Sequence, residues 1–168
     1  MSPPDPVTQL PFPFYFANNL EATTYGTELS ADIVLMAPWS VRLGYTYLHA
    51  VVGVVPGGED FNNALNETAD PSHQWFASTA VDLGEQVELD VAFRGIGSFT
   101  YNVSGVADEV ESYVEADARV GWHPTTWIEL SVSGQNLLLD QHPEYIVSSP
   151  NPRAEIRRAV SGRVAIRW

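Results

Sequence analysis

The chain has 168 residues, of which 45% are hydrophobic, 17% charged and 11% aromatic. So many aromatics exclude a disordered chain, and the lack of cysteine excludes disulfides, thiolate metal sites and a cysteine nucleophile. The formal net charge of −13 excludes nucleic acid as a partner, because attraction to phosphate needs a basic face.

Every basic residue is arginine, and Arg153, Arg157, Arg158, Arg163 and Arg167 crowd the C-terminal end. Met1 is followed by Ser2-Pro3-Pro4-Asp5-Pro6, which is not the charged and then apolar start of a secretory signal. No apolar run reaches about 18 residues, so no transmembrane helix is expected. A membrane-spanning form of this chain therefore has to be a β-barrel.

Residues 1–20 read as irregular or as one weak strand near Phe12 to Asn18, because Pro11 and Pro13 interrupt it. Strict alternation follows. Tyr25, Thr27, Leu29, Ala31, Ile33 and Leu35 alternate with Gly26, Glu28, Ser30 and Asp32. Val41, Leu43, Tyr45 and Tyr47 alternate with Arg42, Gly44 and Thr46. A weaker member spans His73 to Leu83. Val87, Leu89, Val91 and Phe93 oppose Glu88, Asp90, Ala92 and Arg94. Val114, Ala116, Ala118, Val120 and Trp122 oppose Tyr113, Glu115, Asp117, Arg119 and Gly121. Ile128, Leu130, Val132 and Gly134 oppose Glu129, Ser131, Ser133 and Gln135. The last strand, expected over Ala154 to Trp168, sets Val160, Gly162, Val164, Ile166 and Trp168 against Ser161, Arg163, Ala165 and Arg167.

The connections alternate in length. Residues 37–40, 84–85 and 123–126 are short turns, whereas 55–72, 102–110 and 138–153 are long and polar. Short turns at one end and long loops at the other are the pattern of outer-membrane barrels. A soluble sandwich has no reason to sort its loops in this way. Aromatics near strand ends (Tyr25, Trp39, Trp75, Trp122, Trp127, Trp168) fit two interfacial girdles. The expected fold is all-β: a partial antiparallel transmembrane β-barrel of seven or eight long strands, forming one barrel segment over 1–168 with its barrel strands over 21–168. The apolar positions Leu89, Val91, Val120, Leu130, Val132 and Val164 should face lipid. Asp90, Asp117, Glu129 and Arg163 should face the lumen.

Three segments resemble a known family. Tyr25-Gly26-Thr27-Glu28-Leu29 resembles a strand start common in the barrels of TonB-dependent receptors. Gly134-Gln135-Asn136-Leu137-Leu138, followed by Asp140, His142, Pro143 and Glu144, resembles a second segment of those barrels. The end, with Gly162 and a terminal aromatic at Trp168, resembles their closing strand. Departures are Trp168 where Phe is commoner and Tyr145 where Phe is commoner. The resemblance implies the C-terminal barrel portion of such a receptor in the outer membrane of a Gram-negative bacterium. It implies active uptake of a scarce small molecule, such as an iron–siderophore or a cobalamin-like compound. Implied partners are outer-membrane lipid, the barrel-assembly machinery and the small-molecule ligand. The TonB system would act only through a plug region that this sequence does not contain. No resident cofactor is implied.

Asp140, His142 and Glu144 admit a metal-binding reading, but Pro143 and the loop setting favour anchoring of a loop. Glu115 and Asp117 on one strand admit acid–base chemistry. A row of lumen-facing charge explains them more simply, with Arg94, Arg119 and Arg163 offered as partners. No serine, histidine and acid form a convincing hydrolytic trio, so no enzyme activity is expected. The competing reading is a complete small outer-membrane barrel with a structural or adhesion role, which needs about eight strands.

Overall fold

Alternation with a period of two sends successive side chains to opposite faces of a pleated strand. In the computed structural model it builds one long antiparallel sheet. The structure describes residues 17–60, 64, 69–103, 106–144 and 155–168. The strands are β1 (Leu20–Met36), β2 (Trp39–Val54), β3 (His73–Leu83), β4 (Val87–Ile96), β5 (Phe99–Val103), β6 (Val106–Val110), β7 (Tyr113–Thr125), β8 (Ile128–Gln135), β9 (Gln141–Pro143), β10 (Glu155–Arg157) and β11 (Ala159–Ile166). Seven of them form the main sheet in the order β1-β2-β3-β4-β7-β8-β11. Every neighbouring pair in it is antiparallel. The sheet is open, with β1 and β11 at its edges.

The turns β1–β2, β3–β4 and β7–β8 are short and lie at one end. At the second of them Gly84 takes the left-handed conformation (φ +76°) that a side chain would strain. The long connections lie at the other end, and two carry strands of their own. Phe99–Val103 pairs with Val106–Val110, β5 with β6, so 102–110 is not loop throughout. Gln141–Pro143 pairs with Glu155–Arg157, so 138–153 is not loop throughout. The final strand is correspondingly divided at Arg158 into β10 and β11. The cause lies at the end of β8, where Asn136 adopts φ 54° and turns the chain out of the main sheet. Strand β7 runs on to Thr125, past the expected turn at His123, with a register shift between Trp122 and Thr125. There the His123 N–H donates to the Gln86 carbonyl (2.7 Å). Of the weak strand near Phe12 to Asn18, residues 12–16 lie outside the described residues, and 17–19 are not in a strand.

The distribution of side chains is inverted relative to a water-soluble domain. Leu29, Val132 and Val164 are 61%, 59% and 67% exposed, whereas Glu115 is fully buried. Burying polar groups while presenting aliphatic ones suits a sheet whose outer face meets lipid. Register places Leu130 opposite Trp122 and Val164 on that outer face. Glu129 lies on the concave face with Arg119, and Arg163 pairs in register with Ser131, which shares that face. Trp39 and His49 are separated along β2 by roughly 26 Å of membrane normal at a tilt of ~40°. His49 is in ring contact with Tyr25 (4.9 Å). Trp39 and the Tyr25–His49 pair thus bracket an apolar band of about 25 Å.

Candidate functional site

The rim at the long-loop end carries the densest polar network among the described residues. Its foundation is Glu115 on β7. Its carboxylate accepts the N–H groups of Leu138 and Leu139, each at 3.1 Å, and the Ala116 N–H at 3.3 Å. Two residues along the same face, Asp117 accepts the Asn136 N–H (2.9 Å). On the intervening residue the Ala116 carbonyl accepts the Leu137 N–H (2.9 Å). One edge of β7 therefore anchors four successive amides of the segment that leaves β8.

Asn136 is the hub of this arrangement. Its Oδ1 accepts from Arg94 (2.7 Å) and its Nδ2 donates to the Arg157 carbonyl (3.4 Å). The Arg94 guanidinium also bridges to Glu144 (2.8 Å) and lies over the Tyr113 ring at 6.0 Å. The Tyr113 ring packs against the His142 imidazole (4.4 Å). His142 is 3% exposed and sits between two carboxylates, with Nε2 3.2 Å from Glu144 and Nδ1 3.1 Å from Glu115. The Nδ1 contact is close in distance but off the line that a ring N–H requires, so it is proximity of charge and not a hydrogen bond. Burial raises the pKa of Glu144, but hydrogen bonds from His142 and Arg94 outweigh it and hold the carboxyl below the usual range. Asp140, adjacent in sequence, turns instead to Arg158 (3.2 Å). The acid that His142 meets besides Glu144 thus comes from β7 and not from Asp140.

A second cluster lies lower on the concave face. Arg119 bonds to Glu88 (2.9 Å), Asp90 (3.0 Å) and Glu129 (3.0 Å). His123 reaches Glu88 (3.0 Å) and Arg167 reaches Glu129 (3.5 Å). Farther along, Arg42 pairs with Asp32 (2.6 Å). The expected pairing of Glu115 and Asp117 with Arg94, Arg119 and Arg163 does not occur. Arg94 is level with Glu115 across the β4–β7 pair, yet its charge goes to Glu144. Glu115 is instead satisfied by backbone amides, which sequence alone does not place.

The family model for the TonB-dependent receptor-like β-barrel matches residues 2–137. The chain belongs to the TonB-dependent receptor β-barrel family. It therefore lies in the outer membrane of a Gram-negative bacterium. Solved structures share the fold. The ferric-catecholate import receptor Fiu from E. coli K12, in its open form, superposes with a TM-score of 0.67 at 20% identity, over 86% of this chain and 20% of that one. The siderophore receptor PiuA from Acinetobacter baumannii gives 0.69 at 19% identity, over 88% and 22%. The ferripyoverdine receptor of the Pseudomonas aeruginosa outer membrane gives 0.70 at 18% identity, over 88% and 20%. No curated protein sequence matches the chain significantly. The chain spans about a fifth of each of these receptors.

Of the positions in this TonB-dependent receptor barrel that carried the resemblance, the structure brings five together: Asn136, Leu137, Leu138, His142 and Glu144 all belong to the rim network. Tyr25, Gly26 and Glu28 lie apart on edge strand β1, opposite His49, Leu48 and Thr46. Gly162 faces Val132 on β11, and Trp168 ends the chain fully exposed. Arg94, Tyr113, Glu115 and Asp117 complete the rim without belonging to any of those segments. Period-two alternation does place all four on one face, but it does not indicate which loop folds back onto them.

Proposed function

We propose that this chain is a wall and rim segment of a receptor that takes up a scarce metal chelate, with an iron–siderophore complex as the best-supported ligand class. Membership of the receptor family carries this reading. Relatives described as ferric-catecholate, siderophore and ferripyoverdine receptors support the ligand class, although a copper transporter shares the fold as well (TM-score 0.62, 15% identity). In this reading the long-loop end faces outward. The segments about Gly57 to Pro71, Asn102 to Glu109 and Leu139 to Pro152 contribute to the ligand surface. The rim network holds the first part of the last of these, up to Glu144, in place.

The open sheet favours this reading over a small self-contained barrel. With seven strands, β1 and β11 both run from the long-loop end to the short-turn end. They cannot pair antiparallel with each other, and bare strand edges are not viable in lipid. An odd number of further strands must lie between them. A small barrel would need an eighth strand there, and its wall would curve much more tightly than that of the large receptors on which this sheet superposes. The deciding experiment is energy-dependent uptake of radio-iron by cells that carry the whole receptor, offered a panel of iron–siderophores. Saturable uptake of one of them, lost without TonB, is the expected result. Binding of none of the chelates would overturn the ligand class, and a folded, closed pore formed by this chain alone would overturn the segment reading.

A further inference from the structure

Two adjacent residues on edge strand β11 stand apart from the pairing rules that the rest of the sheet follows. The first is Arg163, exposed on the concave face and level with Ser131 of β8. Among the described residues it has no carboxylate partner. Two concave arginines inside the sheet are matched by an acid level with them on the adjoining strand. Asp32 is level with Arg42 and bonds to it at 2.6 Å. Asp90 is level with Arg119 and bonds to it at 3.0 Å. The second residue is Gly162, on the outer face and level with Val132. A glycine weakens a strand unless something approaches it closely. Inside the sheet an aromatic ring does so. Trp75 lies over Gly95 and Phe76 lies over Gly44, and each ring comes from the residue level with that glycine on the adjoining strand. Over Gly162 the Val132 side chain gives no such cover. Among the described residues a Cβ there would meet only the Ser131 carbonyl oxygen, at 3.8 Å.

The outer edge of β11 cannot stay bare in lipid. β1 does not cover it, because the two strands run in the same direction. We propose that the barrel strand pairing with this edge carries an acidic residue level with Arg163, followed directly by an aromatic residue level with Gly162. The order follows from antiparallel pairing, in which the partner advances as β11 recedes. Alternation then turns the acid into the lumen, against the guanidinium, and the ring outward, over Gly162 between Val160 and Val164. The reverse order would turn the acid into lipid. Both contacts are made at neighbouring levels, so a slip of the seam by two residues would break both, and together they fix its register.

The test uses the whole receptor assembled in the outer membrane. A photo-reactive amino acid is placed at Ser161 or at Ala165, which flank Arg163 on the concave face, and the cross-linked peptide is mapped. This step leaves Arg163 and Gly162 intact. The expected product joins β11 to another strand of the same barrel that shows the acid and then the aromatic at the stated levels. Arg163→Glu should then lower the melting midpoint of the assembled barrel. Replacing the partner acid by arginine in that variant should restore most of the shift, because the pair is re-formed with its charges exchanged. A cross-linked strand without either residue at its level overturns the proposal. So does cross-linking only to a lumen-filling region or to a second receptor molecule, or a charge exchange that restores nothing.

Discussion

Glu115 shows how a single side chain can organise a rim. It is a fully buried carboxylate, and its oxygens take up amides of an external segment that would otherwise have no acceptor. Replacing it by alanine should cost about 1–3 kcal/mol for each amide left unpaired, read as a lower denaturant midpoint of the folded receptor. Glu115→Gln keeps an acceptor oxygen and should recover part of the loss. An alanine variant as stable as the wild type would mean that water replaces the carboxylate. Glu144 supplies a pH-dependent counterpart. Its folded pKa is lowered despite burial, through His142 and Arg94. The stability it adds is therefore complete above the ordinary glutamate value of about 4.3 and is lost as pH falls through the lower folded value. The stability gap between wild type and Arg94→Gln should accordingly narrow in acid, where protonation of Glu144 has already weakened the ion pair. A gap that stays constant down to full protonation would show that Arg94 acts through Asn136 alone.

Among the elements, β4, β7 and β8 separate lipid from lumen most clearly. Arg119 on the concave side gathers Glu88, Asp90 and Glu129, while Leu89, Val120 and Leu130 point the other way. An arginine in place of Leu130 should destabilise the barrel by about 2–4 kcal/mol if the site lies near the midplane. The same substitution at Ser133, on the lumen face, should cost far less, and equal costs would contradict the assignment of faces. Strands β3 and β4 make a finer contact on the outer face. The Trp75 ring lies over Gly95, where a Cβ would collide with the indole. Gly95→Ala should displace Trp75, which a shift in its fluorescence would report. An unchanged spectrum would indicate that the ring has room to yield. At the C-terminal end, Arg167 donates its N–H to the Trp127 carbonyl (2.9 Å), which keeps the chain beside β8 up to its last residues.

For the whole molecule, the central fact is that the sheet cannot close on itself. Assembly in the bilayer therefore depends on strands outside this sheet, and on recognition of the chain by the machinery that inserts barrels. We expect Trp168, fully exposed at the end of β11, to belong to that recognition signal. Deleting it from the full-length receptor should sharply reduce the amount of assembled barrel. If Trp168 served only as a girdle aromatic, the loss would be modest and confined to stability, and unchanged assembly kinetics would count against the signal. The isolated chain should also fail to drive energy-dependent uptake, which would be measured as ligand accumulation in cells expressing only these residues.

Periodicity alone determined the architecture. Alternation along 87–94 and 113–122 defines which residues share a face, because side chains in a strand point alternately regardless of what lies beside them. Loop lengths defined the two ends for a similarly local reason. Register and return paths had no such local determinant. Nothing in the residues between Asn136 and Glu144 says that they fold back over β7, that His142 meets Glu115, or that Asp140 turns away to Arg158. These follow from strand alignment across the β4–β7–β8 surface and from one left-handed residue at Asn136. The strand pairs within the long connections were hidden because their strands run only three to five residues, too short for alternation to be decisive. The tertiary structure therefore decided the rim network, where long-range hydrogen bonds select one path for the chain among many that local preference leaves equal.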